Sequence, residues 1–243
     1  MKKNLIAVIL SIIILSSCGT HVSPSPIPSD TISPSRIDVS ITPTVKVDPT
    51  SILTSSGFGP ETVWNIDGNI SQYQNCIYSS GKSGSYSNSI DCVIALMKSS
   101  GASSQAIAFT RNLQGIAFMS SFKEYGIVDL AEITYPPRAN SNVEYILVNG
   151  NPQIVYVEDG YKVDITQDSN YLALKQKYPN IRISGGNNSF INMEQTSQGG
   201  QRFIFSFALV DGCHACQTDK SAYIAFEFEG TGQFEGMKLI YIK

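Results

Sequence analysis

Cations are scarce in this chain, and they never cluster. Lys and Arg number 17 against 20 Asp and Glu, and charged residues make up only 15% of the 243 residues. Nucleic-acid binding rests on grouped Lys and Arg facing phosphates, so nucleic acid is not expected as a partner. The same scarcity leaves no polybasic patch for anionic lipid headgroups. Histidine is rarer still, with only His21 and His214. A membrane-spanning helix needs about 20 apolar residues. The apolar run Leu5–Leu15 falls well short of that. What the chain does hold is Ser, Asn, Gln and Gly, the makings of a neutral, hydrogen-bonding surface.

Lys2 and Lys3 precede that apolar run, and Leu15-Ser16-Ser17-Cys18 follow it. Two cations, a short apolar core and small residues before a processing point are the three parts of an export signal. Leu-Ser-Ser-Cys, with Gly19 next, resembles the lipobox of bacterial lipoproteins. The resemblance implies a diacylglyceryl group on the Cys18 sulfur, cleavage that removes residues 1–17, and a further acyl chain on the new amine. Two or more chains anchor a protein stably where one holds it only marginally. The membrane is then a partner through lipid alone. Gly19 is not the aspartate that retains lipoproteins at an inner membrane, which favours the outer membrane, or the outer face of the cell membrane in a Gram-positive cell. Without residues 1–17 the chain keeps fifteen basic and twenty acidic residues, a formal charge near −5.

Residues 18–60 read as a tether. Seven of the eleven prolines (Pro24, Pro26, Pro28, Pro34, Pro43, Pro49 and Pro60) fall there among Ser and Thr. Such a composition buries too little apolar surface to offset its ordering entropy, and proline keeps it extended. At about 3 Å per residue it reaches up to roughly 100 Å from a membrane. Residues 61–243 have the composition of one folded domain.

Within that domain the periodicity is first helical and then strand-like. Ile90, Val93, Ile94 and Met97 have helical spacing, with Asn88 and Asp91 near the start and Gly101 at the end; a second helix is expected from Ser103 or Ser104, and a third over Ile116–Tyr125. Strands are expected over Ile127–Tyr135, Val143–Val148, Gln153–Glu158 and Tyr161–Thr166, with Asn149-Gly150 and Asp159-Gly160 as hairpin turns. A helix over Ser169–Lys177 and strands over Asn180–Ser184, Arg202–Val210, Ala222–Glu229 and Phe234–Ile242 complete the reading. Phe203, Phe205 and Phe207 share one face and should form the centre of the core. The expected fold class is α+β: short N-terminal helices packed on one antiparallel meander.

With Cys18 set aside, Cys76, Cys92, Cys213 and Cys216 remain, an even number suited to disulfides in an oxidising compartment. Of three pairings, Cys76–Cys92 with Cys213–Cys216 closes only local loops. Chemically able residues crowd together only at Asp211-Gly212-Cys213-His214-Ala215-Cys216. The favoured reading is a turn stapled by Cys213–Cys216 and displaying His214, since residues three apart in a β-turn meet disulfide geometry. Thiol–disulfide exchange is the rival, with His214 favouring the thiolate. Against it, only Gln217 to Ser221 separate Cys216 from the next strand, where a redox motif of this kind opens a long helix. A metal site is weaker: His214 lies inside the same tight turn and cannot readily complete a tetrahedron with both thiols. Haem attachment needs C-x-x-C-H, which is absent, so no cofactor is implied. Gly81-Lys82-Ser83 lacks the first glycine of a phosphate loop, at whose place stands Cys76. Ser-His-Asp catalysis would use His214 with Asp211, but no Gly-x-Ser-x-Gly elbow accompanies them. Glu227 and Glu229 share a strand face in the manner of an ordinary exposed strand. The functional expectation is a lipid-anchored, non-catalytic binding or envelope-associated module.

Overall fold

The computed structural model describes residues 57–80, 86–138, 142–213 and 215–243, all within the compact unit Val47–Lys243. The lipobox and all but the last four residues of the expected tether lie outside the described residues. The fold is α+β and mostly β, with two antiparallel four-stranded sheets and four α-helices among the described residues.

A short 3-10 turn at Pro60–Thr62 leads to α1 (Ile70–Ser80), α2 (Tyr86–Ser99) and α3 (Ser104–Asn112). Ser103 caps α3, its hydroxyl accepting from the Ala106 amide at 3.0 Å, which satisfies a donor that the first turn leaves free. Helix α3 ends where Gln114 and Gly115 take positive φ. Val93, Ile94 and Met97 on α2 are buried against Trp64, Tyr73 and Phe118.

The first sheet comprises β1 (Phe118–Lys123), β2 (Asp129–Thr134), β3 (Val143–Val148) and β4 (Ile154–Tyr156), in that order. Helix α4 (Ser169–Lys177), capped by Asp168, leads to the second: β5 (Ile181–Gln195), β6 (Gln201–Asp211), β7 (Gln217–Phe228) and β8 (Phe234–Ile242). The expected single meander is thus two. The cause is visible in the first sheet, whose strands alternate between two apolar environments. Leu130 and Leu147 join the cluster built on Phe203, Phe205 and Phe207 of β6, while Ala131, Ile133, Ile146 and Val148 pack with Phe58 and Phe109 on the helix side. A sheet with two buried faces must lie between other layers.

Four elements differ from the sequence reading, the first being helix α1 (Ile70–Ser80), which that reading does not contain. Residues Ile116–Tyr125 were expected to be helical, but Phe118–Lys123 form β1, paired to β2 from Phe118↔Thr134 to Lys123↔Leu130. Pairing with β2 and burial of Phe118 and Met119 outweigh an ambiguous three-residue apolar spacing. Tyr161–Thr166 is not a strand, and Asp159-Gly160 is not a hairpin. Instead Val157–Lys162 forms a 3-10 segment, in which Gly160 abuts the tip of the Phe207 ring. A Cβ on Gly160 would stand 2.3 Å from Phe207 Cζ. Strand β5 continues past the expected end at Ser184 to Gln195, crossing a register shift between Ile183 and Asn188.

One buried amide side chain, Gln201, and one half-buried, Asn149, join these parts. Gln201 of β6 accepts from the Val128 amide at 2.7 Å and donates to the carbonyls of Val128 and Tyr125 at 2.9 and 3.2 Å. Asn149, at φ 70°, accepts from the Phe58 amide and donates to the Phe58 carbonyl, at 2.7 and 2.9 Å. It therefore holds the chain entering the domain as a paired strand residue would.

Candidate functional site

Strand β6 delivers Asp211 and Gly212 into the Cys213–Cys216 turn, and β7 leaves it at Gln217. The Asp211 amide donates to the Cys216 carbonyl at 2.9 Å and the Cys216 amide to the Cys213 carbonyl at 3.1 Å. Cys213 and Cys216 are bonded to each other, with Cα atoms 5.1 Å apart, and both are exposed. His214 lies outside the described residues.

The Asp211 carboxylate does not wait at the turn for an imidazole. It accepts from the Asn180 amide at 2.9 Å, while the Gly212 amide donates to the Asn180 carbonyl at 3.1 Å. Arg182 reaches the Gly212 carbonyl at 3.5 Å. Asp211 and Gly212, the latter at φ 77°, are thus engaged in tying the turn to the start of β5, a common use of Asp-Gly.

Cys76 of α1 and Cys92 of α2 form the other disulfide, with Cα atoms 5.5 Å apart, and Cys76 is buried with Trp64 and Tyr73 in the helical layer. Both local pairings are therefore present. Two disulfides are the bonding of an oxidising, extracytoplasmic setting. Among the described residues no group of three or more His, Cys, Asp or Glu is placed to hold a metal ion, and no helix is long and apolar enough to cross a membrane.

The two glutamates that the strand pattern offers are separated. Glu227 lies between Arg202 Nε at 2.6 Å and Lys238 Nζ at 2.7 Å, and Arg202 also faces Glu194 at 3.6 Å. Burial works to raise the Glu227 carboxyl, but the hydrogen bonds and charges of Lys238 and Arg202 outweigh it and hold the group below the usual carboxylate range. Glu229 lies beyond β7, where it accepts from Thr231 at 3.4 Å.

A different constellation gathers at the end of the first sheet, and no sequence motif marks it. Strand β3 pairs with β4 through Ile146↔Tyr156. Glu158 follows in the 3-10 segment that begins at Val157. Glu144 is only 7% exposed. It is ion-paired to Arg138, whose guanidinium lies 3.7 Å over the Tyr135 ring. Burial first, and then the Glu144 charge, hold the Tyr135 phenol far above the ordinary range. Tyr156 is raised for the same two leading reasons. The Glu158 carboxyl is held above the usual range by burial first and then by the influence of Glu144, with Arg138 opposing. Its Oε1 lies 3.4 Å from where a Cβ on Gly185 of β5 would stand.

No family model, curated protein or solved structure matches this chain.

Proposed function

We propose that this is a lipid-anchored protein of the bacterial cell envelope, with a non-catalytic binding or envelope-associated domain. Residues 1–17 direct export, Cys18 carries the acyl chains, residues 18–60 form the tether, and residues 61–243 form the globular domain. The observation that carries this reading is the cysteine pairing. Cys76–Cys92 and Cys213–Cys216 use every cysteine but one, and the one left over is the Cys18 that the lipobox resemblance designates. Disulfides persist in oxidising surroundings, which fits a chain bearing an export signal. The non-catalytic assignment is supported by how the able groups of the turn are engaged: the two sulfurs with each other, and Asp211 with Asn180.

The test is labelling in bacteria. Full-length protein grown with an alkyne analogue of palmitate should carry the label and sediment with membranes. Cys18→Ala should lose the label and leave the domain in the soluble fraction. An N-terminal peptide that keeps Met1 and a free thiol at Cys18 overturns the reading.

One observation favours a second reading, thiol–disulfide exchange at Cys213 and Cys216. Both residues are exposed at the tip of the β6–β7 hairpin, and the turn has backbone hydrogen bonds of its own, so opening the bond would not open the core.

A further inference from the structure

We propose that Tyr223 and Tyr241 form an oxidative modification site, where a one-electron oxidant joins the two phenol rings through a carbon–carbon bond. The residues oppose each other across neighbouring antiparallel strands, Tyr223 on β7 and Tyr241 on β8. Their rings are stacked, with centroids 4.3 Å apart and planes 24° from parallel. Directly opposed side chains are the closest neighbours that such strands offer. The backbone beside them is fixed as well. The Ser221 amide donates to the Lys243 carbonyl at 2.9 Å, and the Lys243 amide to the Ser221 carbonyl at 3.0 Å. Strand pairing therefore keeps the two rings together while one of them is a radical. Proximity of this kind turns a bimolecular coupling into an intramolecular one.

Access and competition favour the same pair. Tyr241 is 43% exposed, so an oxidant reaches it from solvent and its ring has room to turn edge-on to its partner. Tyr78 and Tyr161 are exposed too. Their side chains meet the Pro137 carbonyl and the Lys162 ammonium, and neither stacks on a second tyrosine among the described residues. Trp64, the readiest competing electron donor, is sealed in the helical layer at 2% exposure. Cys76, Cys92, Cys213 and Cys216 are already oxidised to disulfides. In the coupling, each phenol gives one proton and one electron to the oxidant. The two phenoxyl radicals bond through ring carbons ortho to the hydroxyls, and the hydrogen on each of those carbons returns to its oxygen. With hydrogen peroxide as terminal oxidant, the O–O bond breaks and takes up the two lost hydrogens as two molecules of water. The product ties β8, an edge of the second sheet, covalently to β7. An edge strand is held from one side only, and the new bond supplies what a second neighbour would.

The probe is hydrogen peroxide with a haem peroxidase, applied to the purified protein at low concentration with its disulfides intact. Digestion after Lys and Arg should then yield residues 221–238 joined to residues 239–243, two hydrogens lighter than the separate peptides together and fluorescent as a biphenol. Tyr223→Phe and Tyr241→Phe should each abolish the joined peptide and leave oxidation at Tyr78 and Tyr161 unchanged. In urea, where strand pairing is lost, its yield should fall to that of chance couplings among the twelve tyrosines. Absence of the joined peptide at a dose that oxidises Tyr78 or Tyr161 overturns the site, and so does an equal yield in urea. Should a variant fail to fold, the comparison of folded with urea-treated wild type decides alone.

Discussion

Gly160 shows how a single residue type is fixed by its neighbour and not by its own backbone. Its φ is not in the left-handed region; what forbids a side chain is Phe207, whose Cζ would lie 2.3 Å from an added Cβ. Phe207 is fully buried, so Gly160→Ala should destabilise by about 3 kcal/mol, at the upper end of overpacking costs. Urea denaturation measures this. Combining it with Phe207→Leu should cost less than the two singles together, because both act on one contact. The alternation of Phe203, Phe205 and Phe207 is legible in the sequence and is borne out at 0% exposure. The role of Gly160 is not, since Asp-Gly is also the signature of a tight hairpin and nothing local announces the ring beneath it. The Arg138–Glu144 ion pair is likewise silent in sequence, because it depends on how β2 and β3 come together.

Elements with strong internal patterns are legible and those with weak ones are not. Val143–Val148 forms β3 as its spacing requires, whereas Ser169–Lys177 forms α4 behind the Asp168 cap. Residues 116–125 fail because apolar side chains three apart serve a helix and an irregular strand equally, and the pairing partner decides. The β6–β7 turn carries the element-scale prediction. By the chain-entropy estimate a four-residue loop is worth about 2 kcal/mol and the Cys76–Cys92 loop about 3 kcal/mol. Cys213→Ser with Cys216→Ser should therefore lower stability in urea by about 2 kcal/mol, and the Cys76, Cys92 pair of serine replacements by somewhat more. Unchanged stability at the turn, together with reduction of the wild-type bond by glutathione and its exchange with a substrate disulfide, would favour the redox reading over the staple.

At the scale of the whole domain, the two sheets share one core. Val128, Leu130 and Leu147 of the first sheet and its entry turn pack on Phe203, Phe205 and Phe207 of the second, and Gln201 ties one sheet to the other through Val128 and Tyr125. Helices and first sheet share a second cluster through Phe109, Ile133 and Ile146. Unfolding should accordingly be a single transition. Trp64, the only tryptophan, lies in the helical layer, so its fluorescence reports that layer while far-ultraviolet circular dichroism is dominated by the rest. The two denaturation curves should superimpose. Separate midpoints would show that the helical layer melts on its own.

The sequence by itself determined what depends on neighbours along the chain: the period-two strands, the start of α3 at Ser103 or Ser104, the local cysteine pairs and the lipobox resemblance at Cys18. Only the tertiary structure decided how the strands divide between two sheets, why Gly160 admits no side chain, and that Glu144 is buried beside Arg138. The physical reason is that register and layer order are set by apolar faces finding partners far away in the chain, and no pattern within a segment records which distant face it will meet.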